Sequence, residues 1–108
     1  MTPQGRYERL AATMTANPDV TNLSRGKGFG STGQLKVKNR IFAMLVRDEL
    51  VVKLPRSRVD ELVAIGEGRR FDAGKGTPMR EWFVLSPTSK RPWLSLAREA
   101  HDFVNEKI

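Results

Sequence analysis

The sequence contains no cysteine and only one histidine, His101, and these absences remove several classes of chemistry. Without thiols the chain cannot form disulfides, thiolate zinc sites or a cysteine nucleophile. A single imidazole cannot build a multi-histidine metal site, and the serines have no second histidine to activate them. We therefore predict a protein that is not an enzyme and that carries no metal and no cofactor.

Long apolar runs are also missing, because no stretch approaches the roughly 18 residues that a membrane span requires. The first five residues lack the pattern of a signal peptide. Together with the absence of cysteine, this predicts a cytoplasmic protein with no membrane contact. The length of 108 residues predicts one domain over residues 1–108.

Acidic residues are the minority, since 12 Asp and Glu stand against 19 Lys and Arg, a net charge of +7. Residues 25–58 carry this whole excess, because their only acidic members are Asp48 and Glu49. A concentrated positive charge attracts polyanions such as nucleic acids. The alternative interpretation is a solvated basic surface that serves solubility alone. The side chains predicted to contact nucleic acid are Lys27, Lys36, Lys38, Arg40, Lys53, Arg56 and Arg58.

The first half of the chain predicts one helix and three strands. Residues 3–15 have apolar residues at helical spacing, and Asn17-Pro18 ends that pattern. A short turn is predicted near residues 19–23. The predicted strands are residues 34–38, 41–46 and 50–54. The tight breaks between them predict an antiparallel meander, whose continuously apolar middle strand is expected to be covered on both faces.

The second half predicts a helix, two strands and a last helix. Pro55 stops the third strand, a helix opens at Ser57, and Gly66 is expected to cap its C-terminus. The apolar stripe after Pro92 is typical of an amphipathic helix. The strands between these helices are predicted at residues 69–72 and 80–85. The order of helix, three strands, helix, two strands, helix predicts a two-layer α+β fold with an antiparallel sheet.

Two glycine-rich segments are similar to nucleotide-binding loops, but their surroundings favour ordinary turns. Gly28-Phe-Gly30-Ser-Thr-Gly33 matches G-x-G-x-x-G, yet a strand is predicted after it, whereas a dinucleotide site needs a helix there. The segment at residues 74–77 lacks the upstream glycine of a phosphate loop. We therefore predict no nucleotide affinity, because the glycines serve tight turns.

The remaining candidates for chemistry are His101 and two tryptophans. Neighbouring residues on a helix do not face each other, so His101 and Asp102 are not predicted to form a base and its orienting carboxylate. Trp82 and Trp93 lie among apolar neighbours at strand or helix spacing, so both are predicted to pack in the core. The alternative is that they stack on nucleic-acid bases.

Several short segments form a combined pattern of strands and turns: residues 29–33, 35–37, 41–46, 50–55, 71–72, 74–76, 78–79, 81–82 and 93–98. This pattern is similar to the N-terminal domain of the TfoX/Sxy competence-regulator family, and the resemblance covers roughly residues 7–104. A fainter likeness to MmcQ/YjbR domains lies in Pro78-Met79 followed by Trp82. The TfoX/Sxy resemblance implies a two-layer α+β fold and a bacterial, cytoplasmic protein without known catalysis. Within these segments, the residues that resemble fold determinants are Gly30, Gly33, Phe71, Trp82 and Trp93.

Two hypotheses for function follow. The first is a non-enzymatic regulatory or binding module that contacts nucleic acid weakly and without sequence preference through residues 25–58, because lysines and arginines neutralise phosphates. The alternative is a protein-interaction adaptor, as a homodimer or with another protein, that uses the apolar central strand or an open sheet edge and has no nucleic-acid role.

Overall fold

The computed structural model describes residues 2–22, 34–72 and 79–106 of the chain. Within these residues, helices and strands follow in the order helix, four strands, helix, two strands, helix. The elements are α1 (Pro3–Thr15), β1 (Val20–Asn22), β2 (Gln34–Val37), β3 (Arg40–Val46), β4 (Glu49–Lys53), α2 (Arg56–Ala64), β5 (Gly68–Phe71), β6 (Met79–Leu85) and α3 (Trp93–Glu106). No helix among the described residues is long and apolar enough to span a membrane.

The predicted α+β class is confirmed, and the sheet is antiparallel throughout. Its strand order is β1-β2-β3-β4-β6-β5, so β6 pairs with β4, the last strand of the meander, and β5 lies beyond β6. The predicted β2–β3–β4 meander is present. Its two-residue turns, Lys38-Asn39 and Arg47-Asp48, have positive φ at all four residues. This is the conformation of type I′ turns, which match the twist of the strands they connect.

The structure adds one strand that the sequence does not predict. Residues 20–22 form β1, where a turn was predicted, and Val20 pairs with Val37 of β2. Only the first of these three residues is buried. Such a short segment has too few residues to show a period, so its pairing is decided by the neighbouring strand.

The helices form one layer on the sheet, and the core lies between the two layers. α3 packs on β3 and β4, α2 packs on β5 and β6, and α1 packs on β1. Tyr7 of α1 is fully buried, and its hydroxyl donates to the carbonyl oxygen of Ala43 at 3.4 Å. Burial raises the pKa of the Tyr7 phenol well above its usual range. The largest buried side chains include Tyr7, Phe42, Phe83, Leu50, Leu62 and Leu96.

The sheet face that points away from the helices, here called the outer face, carries the alternate residues of each strand. Val51 and Val84 pair across β4 and β6 on this face and are buried, although they do not belong to the core between the layers. The register and burial pattern place these residues on the outer face: Lys36, Ile41, Met44, Val46, Glu49, Val51, Lys53, Arg69, Trp82 and Val84.

The prediction that residues 41–46 are covered on both faces is wrong. Phe42, Ala43 and Leu45 are buried in the core, but the outer-face residues of β3 are only partly buried. Two described strands have buried residues on both faces. In β4, Leu50 and Val52 join the core and Val51 lies on the outer face, and in β6, Phe83 and Leu85 join the core and Val84 lies on the outer face. A continuous apolar run in the sequence therefore does not show whether a strand is fully buried on both faces of the sheet or only partly buried on one of them.

Candidate nucleic-acid interface

One end of the sheet collects the basic residues that lie far apart in the sequence. The β2–β3 turn, the end of β4 and the start of β6 meet there, because these strands are antiparallel. β2 and β4 are separated by two strand spacings, about 10 Å. We call this region the cationic end; its residues are Lys36, Lys38, Arg40, Lys53, Arg56 and Arg80.

Four members of the cationic end have no ion pair with any described carboxylate. These are Lys36, Arg40, Arg56 and Arg80. All 12 Asp and Glu side chains of the chain belong to described residues, so the comparison covers every side-chain carboxylate. Arg40, Arg56 and Arg80 are exposed, and Lys36 is half-buried. Their charges are therefore available to an external anion.

The other two members have local contacts. The Lys38 ammonium donates to the carbonyl oxygen of Asn105 at 3.5 Å, close to the C-terminus of α3, where the helix dipole favours a cation. Lys53 Nζ lies 4.0 Å from Glu81 Oε1 and 5.6 Å from the centroid of the Trp82 ring. The charge of Lys53 is therefore partly compensated.

Arg58 is not counted in the cationic end, because its guanidinium group already forms ion pairs with Glu61 and Glu99. Its Nε donates to Glu99 Oε1 at 2.9 Å and its Nη2 donates to Glu99 Oε2 at 3.2 Å, while Nη1 contacts Glu61. These hydrogen bonds raise the pKa of the Arg58 guanidinium, chiefly through Glu99. This bidentate contact connects α2 to α3, so Arg58 serves helix packing in this structure. Lys27 lies outside the described residues.

The two tryptophans occupy different environments. Trp93 packs against the core, as predicted, and the Arg6 guanidinium lies 4.4 Å from its ring centroid. The prediction that Trp82 belongs to the core is wrong, because Trp82 pairs with Lys53 on the outer face and is partly exposed. The run Trp82-Phe83-Val84-Leu85 is apolar without interruption, so the sequence shows no alternation that would reveal its faces.

A depression of about 460 Å³ lies beside Trp82. Sequence reasoning missed Arg80 because it lies outside the basic segment at residues 25–58, and only the pairing of β6 with β4 brings it to this end. The residues that line the depression are Lys53, Arg56, Met79, Arg80, Glu81 and Trp82. The depression thus combines three cations, one carboxylate and one aromatic ring.

His101 makes a contact that was not predicted. Its Nδ1 lies 3.1 Å from Asp102 Oδ1, although the two residues are adjacent on α3. The imidazole also packs edge-on against Phe42, with ring centroids 5.5 Å apart. Nε2 is buried without a hydrogen-bond partner among the described residues, so it does not face a space that a substrate can enter. This arrangement gives no support to general acid–base catalysis by His101.

The remaining predictions concern the glycine-rich segments and metal binding. The two glycine-rich segments fall outside the described residues. The structure does describe the strands that follow them, β2 and β6. A strand therefore comes after each segment, as predicted, and the absence of nucleotide affinity stays a prediction. Among the described residues, no group of three or more His, Cys, Asp or Glu is placed to hold a metal ion.

Comparison with protein-family models, with curated proteins and with solved structures finds no match for this chain. The resemblance to the TfoX/Sxy N-terminal domain therefore stays a prediction. The observed order of helices and strands has one strand, β1, more than the order that the resemblance implies, and otherwise follows it.

Proposed function

We propose that this protein is a non-enzymatic binding module that contacts nucleic acid weakly, and without sequence preference, through the cationic end. One observation carries the proposal. Four basic side chains without a carboxylate partner, Lys36, Arg40, Arg56 and Arg80, lie at the same end of one sheet. The resemblance to the TfoX/Sxy N-terminal domain supports a regulatory role of this kind in the bacterial cytoplasm.

The expected strength of binding follows from counterion release. Each phosphate that a cation neutralises contributes a slope of about 0.9 in the logarithm of affinity against the logarithm of salt concentration. Three phosphate contacts would therefore give a slope near −3. Binding of this type has dissociation constants of about 10⁻⁴ to 10⁻⁶ M at physiological salt. Contacts to phosphates carry no sequence information directly, so we expect sequence-tolerant binding.

The test compares two triple variants that remove the same charge. One is Lys36→Gln, Arg40→Gln, Arg56→Gln in the cationic end. The matched control removes three exposed cations without ion pairs from α1, the loop before α3, and α3: Arg9→Gln, Lys90→Gln, Arg98→Gln. Both should fold normally, since five of the six side chains are exposed and Lys36 is half-buried without an ion pair to a described carboxylate, and substitutions at such positions usually change stability by about 0.5 kcal/mol or less.

Binding to a labelled duplex is measured for the three proteins at 50 mM salt by fluorescence anisotropy. The cationic-end variant should bind at least about tenfold more weakly than the wild type, whereas the control should stay within about threefold of it. Equal weakening in both variants would show that net charge alone attracts the DNA. Undetectable binding by the wild type would refute the proposal and favour the adaptor hypothesis.

The β5 edge of the sheet gives little support to an adaptor that works by strand pairing. β5 is one edge of the described sheet, and its pairing with β6 is irregular between Arg70 and Phe71. Arg69 and Arg70 on this strand are held in ion pairs with Glu49 and Asp60. Charged side chains and irregular pairing protect an edge against the addition of another strand.

A further inference from the structure

We infer that the cationic end takes an unpaired nucleotide of a single strand, whose base stacks on Trp82 while its phosphates contact Arg56 and Arg80. The inference rests on the proposed function and specifies the form of nucleic acid that this end prefers. It goes beyond neutralisation of phosphates, because it requires a base that is free to leave its own stack.

The position of Trp82 is the first argument. Its indole ring lies on the outer face, outside the core, and is partly exposed. Trp93 differs, because it packs against the core at the start of α3. An aromatic side chain on a sheet surface is a platform on which a base of any identity can stack, since every base has a π-face. Trp82 therefore matches a ligand that is recognised without sequence preference.

The cations around Trp82 are the second argument. Arg80 lies two residues before Trp82 on β6 and lines the same depression. Arg56 lines the same depression from the N-terminus of α2. Neither arginine has an ion pair with a described carboxylate. A nucleotide whose base lies on Trp82 would thus have guanidinium groups within reach of its phosphates on two sides.

The contact of Lys53 with Trp82 is the third argument. Its ammonium lies 5.6 Å from the ring centroid, so the ring already holds a cation at its surface. Lys53 also lies 4.0 Å from Glu81, which gives its charge a second partner when it leaves the ring. A stacked base is worth about 5- to 150-fold in affinity as measured by substitution. A flexible lysine is therefore a replaceable occupant of the platform.

The inference predicts a preference for single strands over duplexes. In a duplex the bases are paired and stacked on each other, so only the phosphates are available to this surface. A single strand supplies the same phosphates together with bases that can be splayed out. An oligonucleotide without bases supplies the phosphates alone, which makes it the matched probe for the contribution of stacking.

The experiment uses the Trp93→Phe variant, in which Trp82 is the only remaining tryptophan. The protein is titrated at 50 mM salt with a 15-nucleotide oligothymidylate, with an abasic oligomer of the same length, and with a duplex. We expect the oligothymidylate to quench Trp82 fluorescence and to bind more tightly than the other two probes. In the same background, Trp82→Leu should weaken oligothymidylate binding about 5- to 150-fold and abolish its advantage over the abasic oligomer.

The outcomes separate the two claims. If all three probes bind equally, without quenching, and binding is lost in the Lys36, Arg40, Arg56 variant, the proposed function stands and the stacking inference is wrong. If no probe binds at all, both are wrong. Should Trp93→Phe fail to fold, anisotropy of labelled oligothymidylate with Trp82→Leu and Trp82→Phe in the wild-type chain gives the same decision. Full affinity in Trp82→Leu would overturn the inference.

Discussion

At the scale of single residues, Gly66 and Gly68 lie on either side of Glu67, between α2 and β5, and each needs the absence of a side chain for its own reason. Gly66 has φ of 80° and ends α2, with the Gly66 amide donating to Val63 and the Glu67 amide donating to Leu62. This is a Schellman motif, and it confirms the predicted C-terminal cap. Gly68 instead lies against β6, where a Cβ atom would come within 2.0 Å of the Val84 carbonyl oxygen.

Replacement of these two glycines by alanine should lower the free energy of unfolding by different amounts. Gly66→Ala keeps open space around the new methyl group, so its cost is the left-handed backbone alone, about 1–2 kcal/mol. Gly68→Ala places a methyl group against backbone that cannot move away without separating β5 from β6, so about 3 kcal/mol or more is expected. Urea denaturation measures both values. A Gly68→Ala protein as stable as the wild type would contradict the close approach of β5 and β6.

At the scale of secondary-structure elements, an ion pair joins two strands that are not neighbours. Glu49 of β4 and Arg69 of β5 form a bidentate contact at 2.8 and 3.1 Å, although β6 lies between their strands. Val84 of β6, opposite Arg69, is buried on that face. The hydrogen bonds from Arg69 lower the pKa of the Glu49 carboxyl.

The lowered pKa of Glu49 predicts a pH dependence with a definite sign. Because the folded pKa lies below the unfolded value near 4.5, the unfolded state binds more protons as the pH falls. The stabilisation is therefore present above pH 4.5 and is lost below it. Arg69 is largely exposed, so the contribution should be about 0.5–1 kcal/mol. Glu49→Gln should lower the free energy of unfolding by this amount at pH 7.

The measurement is urea denaturation of wild type and Glu49→Gln at pH 7 and pH 3. The difference between the two proteins should shrink at pH 3, because this pH lies below the unfolded pKa near 4.5 and the unfolded state then binds a proton more readily than the folded Glu49 carboxyl does. Glu106→Gln is the control, because Glu106 is exposed and forms no ion pair within the described residues. A constant difference at both pH values would contradict the assigned role of the Arg69 contact.

The sequence predicts those elements whose ends are set by local signals. α1 begins at Pro3, where the Thr2 hydroxyl accepts from the Gly5 amide at 3.0 Å, and the prediction of residues 3–15 agrees with it. β1 has no such signal, because its three residues acquire their conformation by pairing with β2. β1 could not be predicted from the sequence because the strand depends on pairing with β2, and a short stretch of sequence does not reveal such pairing.

The candidate site could be predicted in part. The charge count locates Lys36, Arg40 and Arg56 within one basic segment, and the meander carries them to a common end of the sheet. Arg80 and Trp82 join them only because β6 inserts beside β4, which is a long-range pairing. Conversely, Arg58 carries the same charge in the same segment, yet Glu99 of a distant helix engages it. Charge counting cannot distinguish an available cation from a paired one.

At the scale of the whole molecule, the net charge of +7 is distributed unevenly over the structure. Described carboxylates such as Glu49, Glu67 and Glu99 are engaged in ion pairs with arginines that do not belong to the cationic end. The cationic end retains four cations without such partners. A field concentrated at one end raises the rate of encounter with a polyanion and orients the molecule as it approaches.

The most direct test of this account is the salt dependence of DNA binding, measured between 25 and 200 mM NaCl. Over this roughly eightfold range of salt, three phosphate contacts should change the affinity by about two and a half decades. The wild type and the Arg9, Lys90, Arg98 variant should both give slopes near −3, whereas the Lys36, Arg40, Arg56 variant should be flatter by about two to three units. A variant of the cationic end that keeps the wild-type slope, or nanomolar sequence-selective binding that survives its three substitutions, would contradict the account.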